Sequence, residues 1–269
     1  QLLKLADQNF AGEGIDYDET ALVNFEQALP FELTAAQQKV IQEILQDQKR
    51  PRHMNRLLQG DVGSGKTVVA AMAMYAAVTA GCQAAIMAPT EILAQQHAMN
   101  LAQLFDNAGV NVRVELLTSG LKVAARRHLL EDLENGAIDI LVGTHALLQP
   151  DVAFHHLGLA VIDEQHRFGV NQRAKLRENG VNPDILAMTA TPIPRTLSIT
   201  AYGEMDISVI DQLPSGRKTI QTKRLRHNQL DTALDFVKQQ IDLGAQAYIV
   251  TPLIEESESL DVQNATAMY

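Results

Sequence analysis

The sequence contains no run of the ~18–20 consecutive apolar residues that a membrane-crossing helix needs, which excludes a helical span. Its opening residues, Gln1-Leu2-Leu3-Lys4, do not make a signal peptide. A single cysteine, Cys82, rules out a disulfide within the chain and fits a reducing compartment. These absences point to a cytoplasmic protein. His155-His156 has no further ligand at metal spacing, so it reads as a polar loop and not a zinc site. There is no aromatic stacking run and no base-reading helix, which leaves phosphate contacts as the route to any nucleic acid.

What is present is enough apolar matter, 46% of 269 residues, for one large or two moderate cores. The formal net charge is −10, and it sits at the two ends. Residues 1–32 carry seven acids and one base, and residues 253–269 carry four acids and no base. The span between them is neutral, so whole-chain charge neither supports nor excludes a DNA partner.

The stretch that organises the chain is Gly60-Asp61-Val62-Gly63-Ser64-Gly65-Lys66-Thr67. It follows an apolar run at 54–59 and precedes a helix of small residues running to about 79. Strand, glycine loop and helix N-terminus in that order form a phosphate-binding loop. Gly60, Gly63 and Gly65 let backbone N–H groups turn inward around a triphosphate without a Cβ in the way. Lys66 can then reach the β- and γ-phosphates, and the Thr67 hydroxyl can ligate Mg²⁺. This loop is expected to bind a nucleotide.

Upstream, helices are expected at 2–10 and 20–28, and a third, capped by Thr34, runs to about 47. Gln37 in its first turn could pair a donor and an acceptor with an adenine edge, or be an exposed helix residue. Lys49, Arg50, Arg52 and Arg56 read first as a solvated basic loop and second as phosphate contacts. Downstream, strands at 83–88, 110–117, 138–142 and 157–162 alternate with helices, which means βαβ units and a parallel sheet. Pro89-Thr90-Glu91, Thr118-Ser119-Gly120 and Gly143-Thr144-His145 then stand at carboxyl ends of strands, where open α/β sheets bind ligands. Each threonine could touch a sugar–phosphate backbone or simply cap a helix. Lys122, Arg126 and Arg127 lie on the helix between the second and third of these segments.

The strand at 157–162 delivers Asp163-Glu164-Gln165-His166. Asp163 can hold Mg²⁺ and Glu164 can polarise the attacking water, while Gln165 and His166 could sense the γ-phosphate. A strand at 185–188 leads to Thr189-Ala190-Thr191 and a stiff corner at Pro192-Ile193-Pro194-Arg195. After a strand at 206–211, Leu213-Pro214-Ser215-Gly216-Arg217 is the best domain boundary. Beyond it a strand at 219–225, a helix at 228–243 and a strand at 246–250 open a second α/β unit that looks cut short.

Taken in order, Gln37, the loop at 60–67, Ala88-Pro89-Thr90-Glu91, Thr118-Ser119-Gly120, Gly143-Thr144-His145, Asp163-Glu164-Gln165-His166 and Thr189-Ala190-Thr191 resemble the motifs of superfamily-two helicases and translocases. Within that superfamily the chain is similar to the RecG family of ATP-dependent DNA helicases. Leu29-Pro30-Phe31-Glu32-Leu33-Thr34, Asp163-Glu164-Gln165-His166-Arg167-Phe168-Gly169-Val170 and Pro252-Leu253-Ile254-Glu255-Glu256-Ser257-Glu258 carry that likeness. The resemblance implies an α/β fold, a RecA-like P-loop NTPase lobe with a mainly parallel sheet. It implies ATP and Mg²⁺ as cofactors, with Phe31 and Gln37 at the base and residues 60–67, Asp163 and Glu164 binding and hydrolysing MgATP. Pro89, Thr90, Thr118, Ser119, Gly120, Thr144 and His145 would meet the sugar–phosphate backbone. Thr189, Ala190, Thr191 and Arg195 would couple the two sites. The partner implied is branched DNA, forks and Holliday junctions, remodelled in repair and recombination.

By the same resemblance residues 1–29 are a helical linker from a missing wedge domain, 30–212 the first helicase domain, and 213–269 the start of a second, truncated one. One departure is Thr118-Ser119-Gly120, where relatives often have Thr-Gly-Ser. A transcription-repair coupling translocase shares Arg167-Phe168-Gly169-Val170 and the segment from Thr191 to Thr196. A phosphate-binding-loop kinase would share the loop at 60–67 but lack the later motifs. A nucleotide-binding module without efficient turnover is the third alternative.

Overall fold

Seven parallel strands form one sheet in the order β3-β4-β2-β5-β6-β1-β7. The computed structural model describes residues 14–163, 182–191, 205–212, 222–226 and 229–250. In chain order the elements are α1 (Glu19–Gln27), α2 (Ala35–Gln48), β1 (Asn55–Gly60), α3 (Lys66–Thr79), β2 (Gln83–Met87), α4 (Glu91–Asn107) and β3 (Val114–Leu117). They continue with α5 (Val123–Glu134), β4 (Ile140–Gly143), a 3₁₀ turn (His145–Leu148), β5 (Leu157–Ile162), β6 (Asp184–Thr189), β7 (Asp206–Ile210) and α6 (Leu230–Asp242). No helix among the described residues is long and apolar enough to cross a membrane. The chain divides into two compact units, Gln1–Arg217 and Lys218–Tyr269.

Period-two alternation along the strands explains the layering of the first unit. Ala84 and Ile86, Ile140 and Val142, Leu159 and Val161, and Leu186 and Met188 enter one core with α2, α3 and α4. Their neighbours Ala85 and Met87, Leu141, Ala160 and Ile162, and Ile185 enter a second core that includes Leu133 of α5. Strands buried on both faces read as continuous apolar runs, as parallel strands under helices should. α3 matches them with alanines, which let it lie close to the sheet: Ala70, Ala71, Ala76 and Ala77 are all fully buried.

Aromatic residues are 4% of the chain, and three of them meet at one point. Phe25 of α1 packs on Tyr75 of α3 at 4.9 Å and on Phe105 of α4 at 5.3 Å between ring centroids. Phe25 is fully buried, so α1 packs against the lobe that carries the phosphate-binding loop.

Lys49, Arg50 and Arg52 are exposed, as a solvated basic loop requires, but Arg56, inside β1, is not. Arg56 is 8% exposed and donates to Asp47 of α2 at 2.6 and 3.0 Å and to Ser208 of β7 at 2.7 Å. Arg50 also pairs with Asp47, Arg52 with Asp206 at 3.7 Å, and Lys49 with Glu19. Arg56 is therefore a buried tie between α2, β1 and β7, while the other three bases form ion pairs from exposed positions.

Three expected strands differ. Residues 110–113 precede β3 and are outside it, because Val110 N–H bonds back to Phe105 at the end of α4 and Arg113 is drawn to Asp132, Glu115 and Asp139. In the second unit α6 forms as expected, but residues 222–225 and 246–250 are not strands. Tyr248, Ile249 and Val250 are exposed, with no neighbouring strand in the described residues to complete a ladder. The expected helix at 2–10 and the stiff corner at Pro192 and Pro194 lie outside the described residues.

Candidate functional site: a phosphate-binding loop and a neighbouring threonine-lined cavity

β1 ends at Gly60, and α3 begins at Lys66 with Gly65 as its N-cap in the left-handed region, φ 87°. No side chain caps that helix, so its first N–H groups point into the loop without a partner from the helix itself. Two glycines are fixed by close approach. A β-carbon on Gly60 would lie 2.5 Å from Ser64 Oγ, and one on Gly65 would overlap the amide nitrogen of Gln37. Gly63, at φ 77°, is required by its backbone alone. Val62 is exposed at the tip, and its N–H donates to Asp61 Oδ1 at 2.8 Å. The Lys66 ammonium donates to the carbonyls of Gly60 at 2.7 Å and Asp61 at 3.1 Å, which keeps it inside the curl of the loop.

Gln37 is 2% exposed, not a surface helix residue. Its Oε1 accepts from Thr34 N–H at 2.8 Å while Thr34 Oγ1 accepts from Gln37 N–H at 3.2 Å, a reciprocal capping box. Its Nε2 donates to the Ser64 carbonyl at 2.8 Å. One side chain therefore caps α2 and braces the phosphate-binding loop. Phe31, just upstream, is 48% exposed.

Asp163 follows β5, and Thr189 closes β6; β6 lies between β5 and β1 in the sheet. Gln59, beside the loop, pairs in register with Thr189. Thr189 is buried, and its hydroxyl accepts from Thr191 N–H at 3.2 Å across Ala190. Asp163 Oδ2 is 2.7 Å from His97 Nε2 of α4. Glu164, Gln165, His166 and Arg195 lie outside the described residues.

The Mg²⁺ expectation can be set against these donors. Thr67 and Asp163 supply a hydroxyl and a carboxylate, both hard oxygens of the kind Mg²⁺ takes. No group of three or more His, Cys, Asp or Glu that could hold a metal occurs among the described residues. Few protein oxygens, with phosphate and water completing the shell, is the pattern that suits Mg²⁺, and the residues fit it.

On the same rim of the sheet a cavity of about 580 Å³ is lined by Pro89, Thr90, Thr118, Ser119, Thr144 and His145. Those are six of the seven residues expected at a nucleic-acid backbone; a β-carbon on Gly120, the seventh, would meet open space. Thr90 Oγ1 accepts from Leu93 N–H at 3.3 Å and so caps α4. The Ser119 hydroxyl and N–H both donate to Glu91, at 2.6 and 3.0 Å. Those bonds, the hydroxyl's first, hold the Glu91 carboxyl below its ordinary range. Arg126 adds a cation to the wall, held by Asp151 and Gln149.

No motif marks His97; Glu91 is included beside Thr90 and Arg126 is placed on a helix, neither with an assigned role. His97 is hidden because it falls on the buried stripe of α4 with Ala94, Leu101 and Phe105, where spacing calls for an apolar residue. Glu91 and Arg126 carry a weak signal, one adjacent to Thr90 and the other in a basic cluster.

Residues 34–199 match the model of the DEAD/DEAH box helicase family. The chain is 54% identical over its whole length to an ATP-dependent DNA helicase RecG of Streptococcus pneumoniae, of which it covers 40%. It is 58% identical to the RecG of Bacillus subtilis, with 94% of the chain and 37% of that protein covered. The chain thus spans about two fifths of the length of these curated relatives. Among solved structures, RecG bound to a three-way DNA junction superposes with a TM-score of 0.81 at 41% identity, covering 94% of this chain and 35% of that one.

Proposed function

Because the chain belongs to the DEAD/DEAH box helicase family, we propose that it carries the ATP-binding motor lobe of a RecG-type DNA helicase, which couples ATP hydrolysis to remodelling of forks and Holliday junctions. In this reading residues 30–212 are the first RecA-like domain, 213–269 open a second one, and residues 1–29 lead from a wedge domain. The protein would work on branched DNA in the cytoplasm.

The observation that carries the reading is the common rim. A loop built to take phosphate and a threonine-lined cavity both stand at carboxyl ends of strands in one parallel sheet. The loop amides and Lys66 would hold the triphosphate, with Lys66 exchanging the Gly60 and Asp61 carbonyls for phosphate oxygens. Thr67 and Asp163 would hold Mg²⁺, whose charge would offset that developing on the β- and γ-phosphoryl oxygens. Glu164 would orient the attacking water, with Gln165 and His166 beside it. Thr189, Ala190, Thr191 and Arg195 would relay the change to the DNA side. Gln37 would exchange part of its brace on Ser64 for the adenine edge, with Phe31 alongside.

DNA would be held by its backbone through Thr90, Thr118, Thr144 and neighbouring N–H groups, with Arg126 adding charge. A titration of fluorescent ATP analogue with Mg²⁺, followed by an ATPase assay with forked DNA on a polypeptide as long as the relatives, tests this. Saturable Mg²⁺-dependent binding and stimulation by the fork are expected. Absence of nucleotide binding, or turnover indifferent to DNA, would overturn it.

A further inference from the structure

His97 stands where an apolar residue belongs. Ala94, Leu101 and Phe105 on the same stripe of α4 are fully buried, and the imidazole is 12% exposed beside an Asp163 carboxylate that is 13% exposed. Its Nδ1 is buried without a hydrogen-bond partner among the described residues. A polar ring in such a place, half of its hydrogen-bonding capacity unused, is poor packing unless the other nitrogen does something specific. That nitrogen, Nε2, donates to Asp163 Oδ2 at 2.7 Å.

The other end of α4 is at the cavity. Thr90 caps the helix, Glu91 begins it, and both line the cavity wall. His97 is seven residues from Thr90, roughly 10 Å along a helix axis. Leu101 and Phe105 bury the far half, and Phe105 is locked against Phe25 and Tyr75. α4 is therefore a seated bar with one end at the proposed DNA backbone site and its middle hydrogen-bonded to a proposed metal ligand.

We propose that His97 is a positioning residue for Asp163, fixing the carboxylate that would hold Mg²⁺ and so setting the cation affinity of the proposed nucleotide site. The inference rests on the nucleotide-site reading above. Outer hydrogen bonds to metal-ligating side chains orient them, and their loss commonly weakens metal affinity about 10–100-fold.

The test measures the Mg²⁺ concentration for half-maximal binding of a fluorescent ATP analogue to the full 269-residue chain. His97→Phe keeps a ring and removes the donor; His97→Gln keeps a donor. The midpoint is expected to rise about 10-fold or more in His97→Phe, with residual binding in EDTA unchanged. His97→Gln should recover most of the wild-type midpoint. Thermal unfolding without Mg²⁺ reads any packing defect separately. If both variants keep the wild-type midpoint, or both move it equally, the proposal is overturned. Wild-type protein that binds no nucleotide at any Mg²⁺ concentration would instead remove the nucleotide site itself, and this inference with it.

Discussion

The amide nitrogen of Gln37 occupies the place where a β-carbon on Gly65 would have to sit. The phosphate-binding loop is thus closed on one side by its own backbone curl and on the other by a side chain from α2. Gly65→Ala meets two obstacles, that collision and a left-handed φ of 87°. It should cost about 1–3 kcal/mol of stability and lower nucleotide affinity roughly 10-fold or more. Gln37→Ala loses the capping box and the Ser64 brace but relieves the collision, so the double variant should lose less stability than the sum of the two single variants. Urea unfolding and nucleotide titration of the wild type, both single variants and the double variant check this; wild-type affinity in Gly65→Ala would refute it.

Lys66→Ala and Glu164→Gln should separate binding from chemistry. Lys66 lies in the curl of the loop, where ground-state phosphates would rest, whereas Glu164 is assigned to the water during the chemical step. Lys66→Ala is expected to abolish nucleotide binding. Glu164→Gln should bind normally and lose hydrolysis in the longer polypeptide. Equal loss of affinity in both would contradict the assigned roles.

DNA binding should be independent of sequence and fall steeply with salt, since the cavity offers hydroxyls, N–H groups and one arginine. Arg126→Ala should weaken binding equally for all sequences and lower the salt slope by about one. Glu91→Gln should act oppositely, tightening binding roughly 2–5-fold, because a carboxylate now holds the Ser119 hydroxyl and N–H that a phosphate would use. Titrations of mixed-sequence forks at several salt concentrations decide both. Clear sequence preference would count against the cavity as a backbone site.

Asp184 begins β6 in a 5%-exposed position, and burial pushes its pKa up to about 7 despite the Met54 N–H donated to it at 2.6 Å. The ordinary carboxyl pKa is near 3.9, so between about pH 4 and 7 the folded chain holds a proton that the unfolded chain has released. Its contribution to stability is greatest at the acid end, falls as pH rises through that window, and levels off above pH ~7. Over the window the loss is on the order of 1–4 kcal/mol. Asp184→Asn should flatten it. Urea midpoints from pH 4.5 to 8 measure the difference between the two proteins, and parallel curves would show that Asp184 is ionised in the fold.

Local pattern was enough for the loop at 60–67, for α3 and for strands such as 157–162, because glycine spacing and apolar runs are set by neighbouring residues. What could not be read were contacts between segments far apart in the chain. Gln37 looked like a surface residue until Ser64, 27 residues on, accepted its amide. Arg56 looked solvated until Asp47 and Ser208 closed on it. His97 was hidden by its own periodicity, since a histidine on an apolar stripe gives no sign of a carboxylate 66 residues away. The described residues of the strands expected at 219–225 and 246–250 had suitable side chains, but a strand forms only beside another.

The strand order has a consequence for how the proposed nucleotide site keeps its dimensions. β6 is the spacer between β1, which ends at the lysine loop, and β5, which ends at Asp163. Two steps of ~4.8 Å put the ends of β1 and β5 roughly 10 Å apart. Backbone ladders set that gauge, and no side chain in the site can widen or narrow it by changing rotamer. Point substitutions can therefore alter the charges at either strand end but not the width between the two ends. Thr189 sits on the strand that sets that width.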